Sequence, residues 1–376
     1  MRRIVTAATV LALSVAPAAA GPLRPTTEIG SDPAGVTSEN VTFVKTVPFD
    51  AGGATGARLV GKHLYVSGAR SLSIYDVSDA VNPVLLSHTP TGFQFANEDV
   101  DTNGRILLMS DDQAFKTLYV YDVEDKTAPV ELAKLVGVND HNFACVLDCR
   151  YAYGSRGHIV DLRRPTQPAV VGNWGGGANP GDGYDTTEAG RGRVLTATRQ
   201  IYFLDGRRDP TRPTVAASGG TPDNRLIHSI RWPNGGRDRF ILVQGETPFS
   251  GFCDKDSGAF MTWDASRWKR TGSFRMIDEY RVANGTYTDG NPAVGATGCT
   301  AMWFQEHPRF RDGGLVASAF FEHGVRFLHV DGRGGISERG YYMPAIGSTI
   351  ASYWITDEIV YAIDLAKGID ILRFSR

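Results

Sequence analysis

One pattern recurs along this chain: a β-rich run closing on an aspartate between apolar residues, a short turn with proline, then a second apolar run. It reads Ile74-Tyr75-Asp76-Val77 before Asn82-Pro83-Val84, and Val120-Tyr121-Asp122-Val123 before Ala128-Pro129-Val130. It returns as Ile159-Val160-Asp161-Leu162 with Gln167-Pro168-Ala169, and as Phe203-Leu204-Asp205-Gly206 with Arg212-Pro213-Thr214. Degenerate copies follow at Met261-Thr262-Trp263-Asp264, Phe327-Leu328-His329-Val330 and Ile371-Leu372-Arg373-Phe374. The aspartate-equivalent positions are spaced by 46, 39, 44, 59, 65 and 44 residues. A unit of about 40–45 residues built from short strands suits one four-stranded propeller blade. Such a unit leaves its sheet faces bare until neighbours stack on them, so the copies must fold together. The seven copies therefore predict an all-β, seven-bladed β-propeller.

Within the third copy, strands are expected at 141–146, 150–154, 158–162 and 169–173. The aspartate closing each third strand is read as a turn-former that accepts backbone N–H groups. The last copy has strands at 348–354, 358–363 and 369–374, and then lacks a fourth. Val41–Pro48 reads as a fourth strand with no blade before it. Pairing the two completes blade seven, removes an open edge and makes residues 40–376 a single domain.

The Tyr-Asp-Val…Asn-Pro-Val style of repeat resembles the LVIVD-repeat family of secreted or surface bacterial proteins. The likeness covers roughly Asn40 to Arg376. It is strong in the first four copies and weak in the fifth, where Trp263 and insertions depart from the pattern. The resemblance implies a β-propeller and says little about activity. The Gly-His…Trp-Asp pairing of WD repeats is missing.

Composition sets outer limits. Lys+Arg 39 against Asp+Glu 41 gives a net charge of −2, which supplies no basic field for nucleic acid or an anionic membrane. Met1-Arg2-Arg3, the apolar run Ile4 to Val15 and Ala18-Ala19-Ala20 have the layout of a secretory signal peptide, with cleavage expected after Ala20. The apolar run is shorter than the ~20 residues that span a bilayer, so no transmembrane anchor is expected. Residues 21–39 read as a flexible leader. The expected product is a secreted, monomeric protein. Four cysteines in an exported chain favour disulfides, and Cys145–Cys149 and Cys253–Cys299 are the expected pairs.

In a propeller the innermost strand starts, and the second strand ends, at one mouth of the central channel. Innermost-strand starts supply Glu98-Asp99, Asp140-His141-Asn142, Asp185 with Glu188, and His228. Second-strand ends supply Asp111-Asp112, Glu246 and Glu322-His323. Imidazoles and carboxylates converging there could hold one divalent ion (Zn²⁺, Mn²⁺ or Ca²⁺), with His141, His228, Glu98 and Glu246 the candidate ligands. The competing reading is a wet channel whose polar groups satisfy one another. His63, His88, His158, His307 and His329 are expected at packing or surface positions, and the six tryptophans between blades rather than on a sugar-binding face. The Gly-rich run 175–183 lacks the Lys-Ser/Thr and helix of a phosphate-cradling loop. Two functional expectations follow. The first is a binding module that uses the loop-rich face toward an extracellular protein or small molecule. The alternative is a metal-dependent extracellular hydrolase or oxidase at the channel mouth.

Overall fold

The computed structural model describes residues 35–49, 53–91, 100–111, 115–175, 183–223, 225–246, 258–282, 300–344, 346–365 and 367–376. The signal-peptide segment, Glu98, Asp99, Asp112, Cys253 and Cys299 lie outside these. The described chain forms seven antiparallel sheets. Five blades run in chain order, each from an inner first strand to an outer fourth: 54–90, 100–136, 143–173, 185–220 and 226–280. Blade six spans 304–344, and blade seven spans 349–374 and is completed by Val41–Pro48. That strand pairs antiparallel with Gly368–Phe374, from Val41 opposite Phe374 to Pro48 opposite Gly368. The expected closure is therefore present. A short strand, Gly35–Thr37, also pairs with Tyr342–Pro344, so part of the stretch read as a leader adds a fifth strand to blade six.

Alternation and β-branched content explain the strands. Second and third strands are almost wholly buried, whereas the fourth strands are mostly half-buried or exposed. The core is divided among the seams between blades. Leu118, Val120, Ala152 and Val160 pack blade two on blade three. Ile201, Phe203, Ile241 and Trp263 pack blade four on blade five, and Phe327, Trp354, Val360 and Phe374 pack six on seven.

The repeat aspartates do what their position suggests. Asp76, Asp122, Asp161, Asp205 and Asp264 each accept the N–H two residues on, at 2.7, 2.8, 2.9, 3.2 and 2.8 Å. This Asx turn sets the exit toward the fourth strand. Every fourth strand then carries a bulge in its pairing with the third. The extra residue is Leu86, Leu132, Val171, Ala216, Ile277, Arg339 and Val44 in blades one to seven.

Cys145 and Cys149 are disulfide-bonded across the first hairpin of blade three. Leu147, Asp148 and Cys149 all have φ near +55 to +60° there, a left-handed turn that non-glycine residues rarely adopt. The crosslink spans it.

Candidate functional site

The register fixes which residues share a channel mouth. In blade five Leu226 lies opposite Glu246, Phe260 opposite Gln244, and Tyr280 opposite Phe260. The start of the first strand, the second-to-third connection and the end of the fourth strand therefore occupy one end of that sheet. The connections from Glu246 to Phe260 and from Tyr280 to Phe304 both leave from it.

At this end His228 is the extra residue of a bulge between Ile227 and Ser229. A bulge turns one side chain out of the alternation of its strand. The His228 ring is fully buried, and its Nε2 lies 3.8 Å from Glu246 Oε2. It belongs to a chain of rings from four successive blades. His141 is 4.5 Å from Tyr184, Tyr184 is 5.5 Å from His228, and His228 is 5.2 Å from Trp303, centroid to centroid. Each stands at or beside the start of its blade's innermost strand, so the four form an arc around the mouth.

Below the arc, a narrow cavity on the ring axis is lined by innermost-strand residues of six blades, Arg58, Asp101, Asp185, Arg231, Phe304 and Tyr353 among them. Its two aspartates bind the ring together. Asp101 Oδ2 accepts the Cys145 N–H of the next blade at 2.8 Å, and its Oδ1 meets Arg58 Nε at 3.0 Å. Asp185 Oδ2 accepts the Ile230 N–H of the next blade at 2.8 Å, while Asn142 Nδ2 donates to its Oδ1 at 3.4 Å. Hydroxyls repeat the device: Ser110 Oγ donates to His141 O at 2.5 Å and Ser229 Oγ to Met302 O at 2.8 Å.

Burial pushes the Asp185 carboxyl up to about 6, against the Ile230 N–H and the charges of Arg231, His228 and Arg58. A carboxyl whose folded pKa is raised favours the folded state in its protonated form, so stability from this group falls as pH rises from about 4 to 6. D185N keeps an acceptor for Ile230 without the buried charge. Urea unfolding at pH 4.5 and pH 7 is expected to show D185N gaining on the parent by roughly 2 kcal/mol between the two pH values. An unchanged difference would mean that Asp185 does not titrate there.

The structure brings His141, His228 and Glu246 to this mouth, and His228 and Glu246 lie side by side. Among the described residues, no group of three or more His, Cys, Asp or Glu is placed to hold a metal ion. Glu188 is not at the mouth. It lies toward the far end of its strand, opposite Val194, and accepts the Leu147 and Gly192 N–H groups at 3.3 and 2.6 Å. Three residues of extended chain carry it ~10 Å from Asp185. Asp111 Oδ2 accepts the Phe115 N–H at 3.0 Å, and Glu322 Oε1 accepts Ser348 Oγ at 3.3 Å.

Sequence reasoning missed Tyr184, which bridges the two histidines, and His158, which starts a third strand and bonds Asp140 through Nδ1. That bond raises the His158 pKa. Gly154 makes the arrangement possible, because a Cβ there would stand 2.1 Å from Asp140 Oδ1. Third-strand starts reach the same face as second-strand ends, and that topological signal could have found His158.

Fold and register define a seven-bladed β-propeller. No family model matches the chain, so the likeness to LVIVD-repeat proteins rests on the repeat residues alone. No curated protein matches it either. Among solved structures it is similar to the WD40 β-propeller domain of Doa1 (TM-score 0.56, 10% identity, 89% of this chain and 97% of that one). It is also similar to a chain of the mitotic checkpoint complex (TM-score 0.54, 14% identity, 98% and 100% covered). At these identities the likeness is one of fold. Among the described residues no helix is long and apolar enough to cross a membrane.

Proposed function

We propose that this protein is an exported binding module whose partner, an extracellular protein or small molecule, sits on the face carrying the ring arc. The observation that carries the reading is the arc itself: Tyr184 and Trp303, both half-buried, stand at one mouth on the buried rings of His141 and His228, one ring from each of four blades. Rings with polar edges on a rigid frame make large contacts at small entropic cost. The long blade-five connections leave from the same face, and loops on rigid scaffolds commonly carry recognition. The similar chain from the mitotic checkpoint complex belongs to a protein assembly, which agrees with an interaction role. A photo-crosslinking residue at Tyr184 should give a discrete adduct in the exporting cell, and one at Thr127, in a turn at the other end of the ring, should not. Equal labelling at both, or none at Tyr184, would overturn the reading. Export itself predicts a mature protein beginning at Gly21.

The proximity of His228 and Glu246 favours one second reading, a divalent-metal hydrolase or oxidase. Elemental analysis of the purified chain separates the two. Near-stoichiometric metal that disappears in H228A would support the enzyme, and a metal-free protein would leave the binding module.

A further inference from the structure

A second cavity, of about 590 Å³, opens at the other end of the ring where blades six and seven meet. Arg309, Arg339, Arg376, His307 and His329 line it, with Leu315 and Phe374 as apolar wall, and no acidic side chain is among its lining residues.

The repeat shows how unusual this lining is. His329 occupies the position where blades one to five carry the turn-forming aspartate, and blade seven has Arg373 there. Asp331 takes over the turn in blade six, accepting the Arg333 and Gly335 N–H groups at 2.7 and 2.9 Å. Arg339 occupies the fourth-strand bulge, which holds Leu, Val, Ala or Ile in the other six blades. Two repeat positions, one acidic in blades one to five and one apolar in all six other blades, are imidazole and basic here, and both border one cavity.

The charges are only partly compensated: His307 Nε2 lies 3.6 Å from Asp357 Oδ1. Arg309 bonds Asp357 and Arg373 pairs with Glu358 at 3.3 Å. Among the described residues Arg339 and Arg376 make no ion pair, and Arg376 Nη2 instead lies 3.4 Å from His307 Nε2. Burial, then Arg376 and Arg309, lowers the His307 pKa to about 4, and burial, then Arg339, lowers that of His329. Cations gathered around two imidazoles leave a positive potential that an anion would relieve.

We propose that this cavity binds a small organic oxyanion, a phosphate or carboxylate on an apolar body, with Arg339 and Arg376 holding the head and Leu315 and Phe374 the body. Guanidinium groups suit either head because they donate in a planar fork.

The test is calorimetric titration of the full chain at pH 7 and low salt with phenyl phosphate, benzoate and uncharged benzyl alcohol. One or both anions should bind at a single site, the one that binds naming the head group, while benzyl alcohol should not. R339L restores the residue type of the other bulges, and H329D restores the repeat aspartate while placing a like charge in the cavity. Each should weaken binding by about tenfold or more, with melting temperature as the check on folding. R207Q, on blade four, should leave it unchanged. No heat from either anion up to about 10 mM, or affinity unaltered in both R339L and H329D, would overturn the proposal.

Discussion

Removing residues 35–48 is expected to abolish the cooperative melt of this protein. Val41–Pro48 is the whole outer strand of blade seven, and among the described residues no other strand pairs with the outer edge of Gly368–Phe374. Its loss strips the backbone partners from the outer edge of that strand and uncovers Ile369, Ile371 and Leu372, which are fully buried in the intact ring. It also removes the Thr46 Oγ bond to Asp370 Oδ1 at 2.6 Å and the stacking of Phe43 on Tyr342 at 5.9 Å. At ~1.5 kcal/mol for each of Val41, Phe43, Val44 and Val47, the apolar part alone is ~6 kcal/mol, comparable with the total stability of many domains. Thermal unfolding followed by circular dichroism should show aggregation or a broad, non-cooperative loss of signal. A peptide covering residues 35–48, added during refolding, should restore the transition. A truncated chain that melts sharply within a few degrees of the parent would mean that closure is dispensable.

Trp354→Ala should be the most damaging single substitution in the seam between blades six and seven. Trp354 ends the innermost strand of blade seven and is buried against His307 at 4.7 Å, Phe327 at 5.7 Å and Phe374 at 6.0 Å, all near edge-on. Phe327 and Phe374 stack on each other at 4.5 Å, so these rings hold one another in place. The rigid Trp354 backbone donates to Gln305 Oε1 at 2.7 Å, which limits collapse into the space left behind. Truncation of a buried Trp costs about 3–5 kcal/mol when the site cannot close. For a domain of this size that is about 5 °C of melting temperature. Trp354→Phe should recover more than half of it. A W354A protein melting within about 2 °C of the parent would show that the seam repacks freely.

The fold was legible because its signals are local and repeated. An aspartate closing the third strand in five copies, the spacing of all seven and a fourth strand stranded near the N-terminus were enough to count blades and close the ring. The site was only partly legible. Strand starts located His141 and His228, but Tyr184 has no periodic signature, and its role depends on facing rings in two other blades. Glu188 was placed at the mouth because it shares a strand with Asp185, although the rise along that strand separates them. Asp101 escaped notice because Val100–Thr102 is three residues long, and its partner, the Cys145 N–H, is invisible without the neighbouring blade. His329 and Arg339 stood in the sequence as lapses from the repeat, and only their meeting at one cavity gives the lapses a meaning.

The crimp in every fourth strand bears on solubility as well. A ring of blades abolishes no outer edges: it displays seven, and Val84, Val130, Val170 and Val215 are exposed along them. A straight apolar edge of that kind would invite a strand from another molecule. A bulge at the same place in each blade throws such a visitor out of register after a few residues. Blade six has the longest outer strand, nine residues from Ile336 to Pro344. Beyond its crimp, at Tyr342–Pro344, that edge is already taken by Gly35–Thr37 of the same chain.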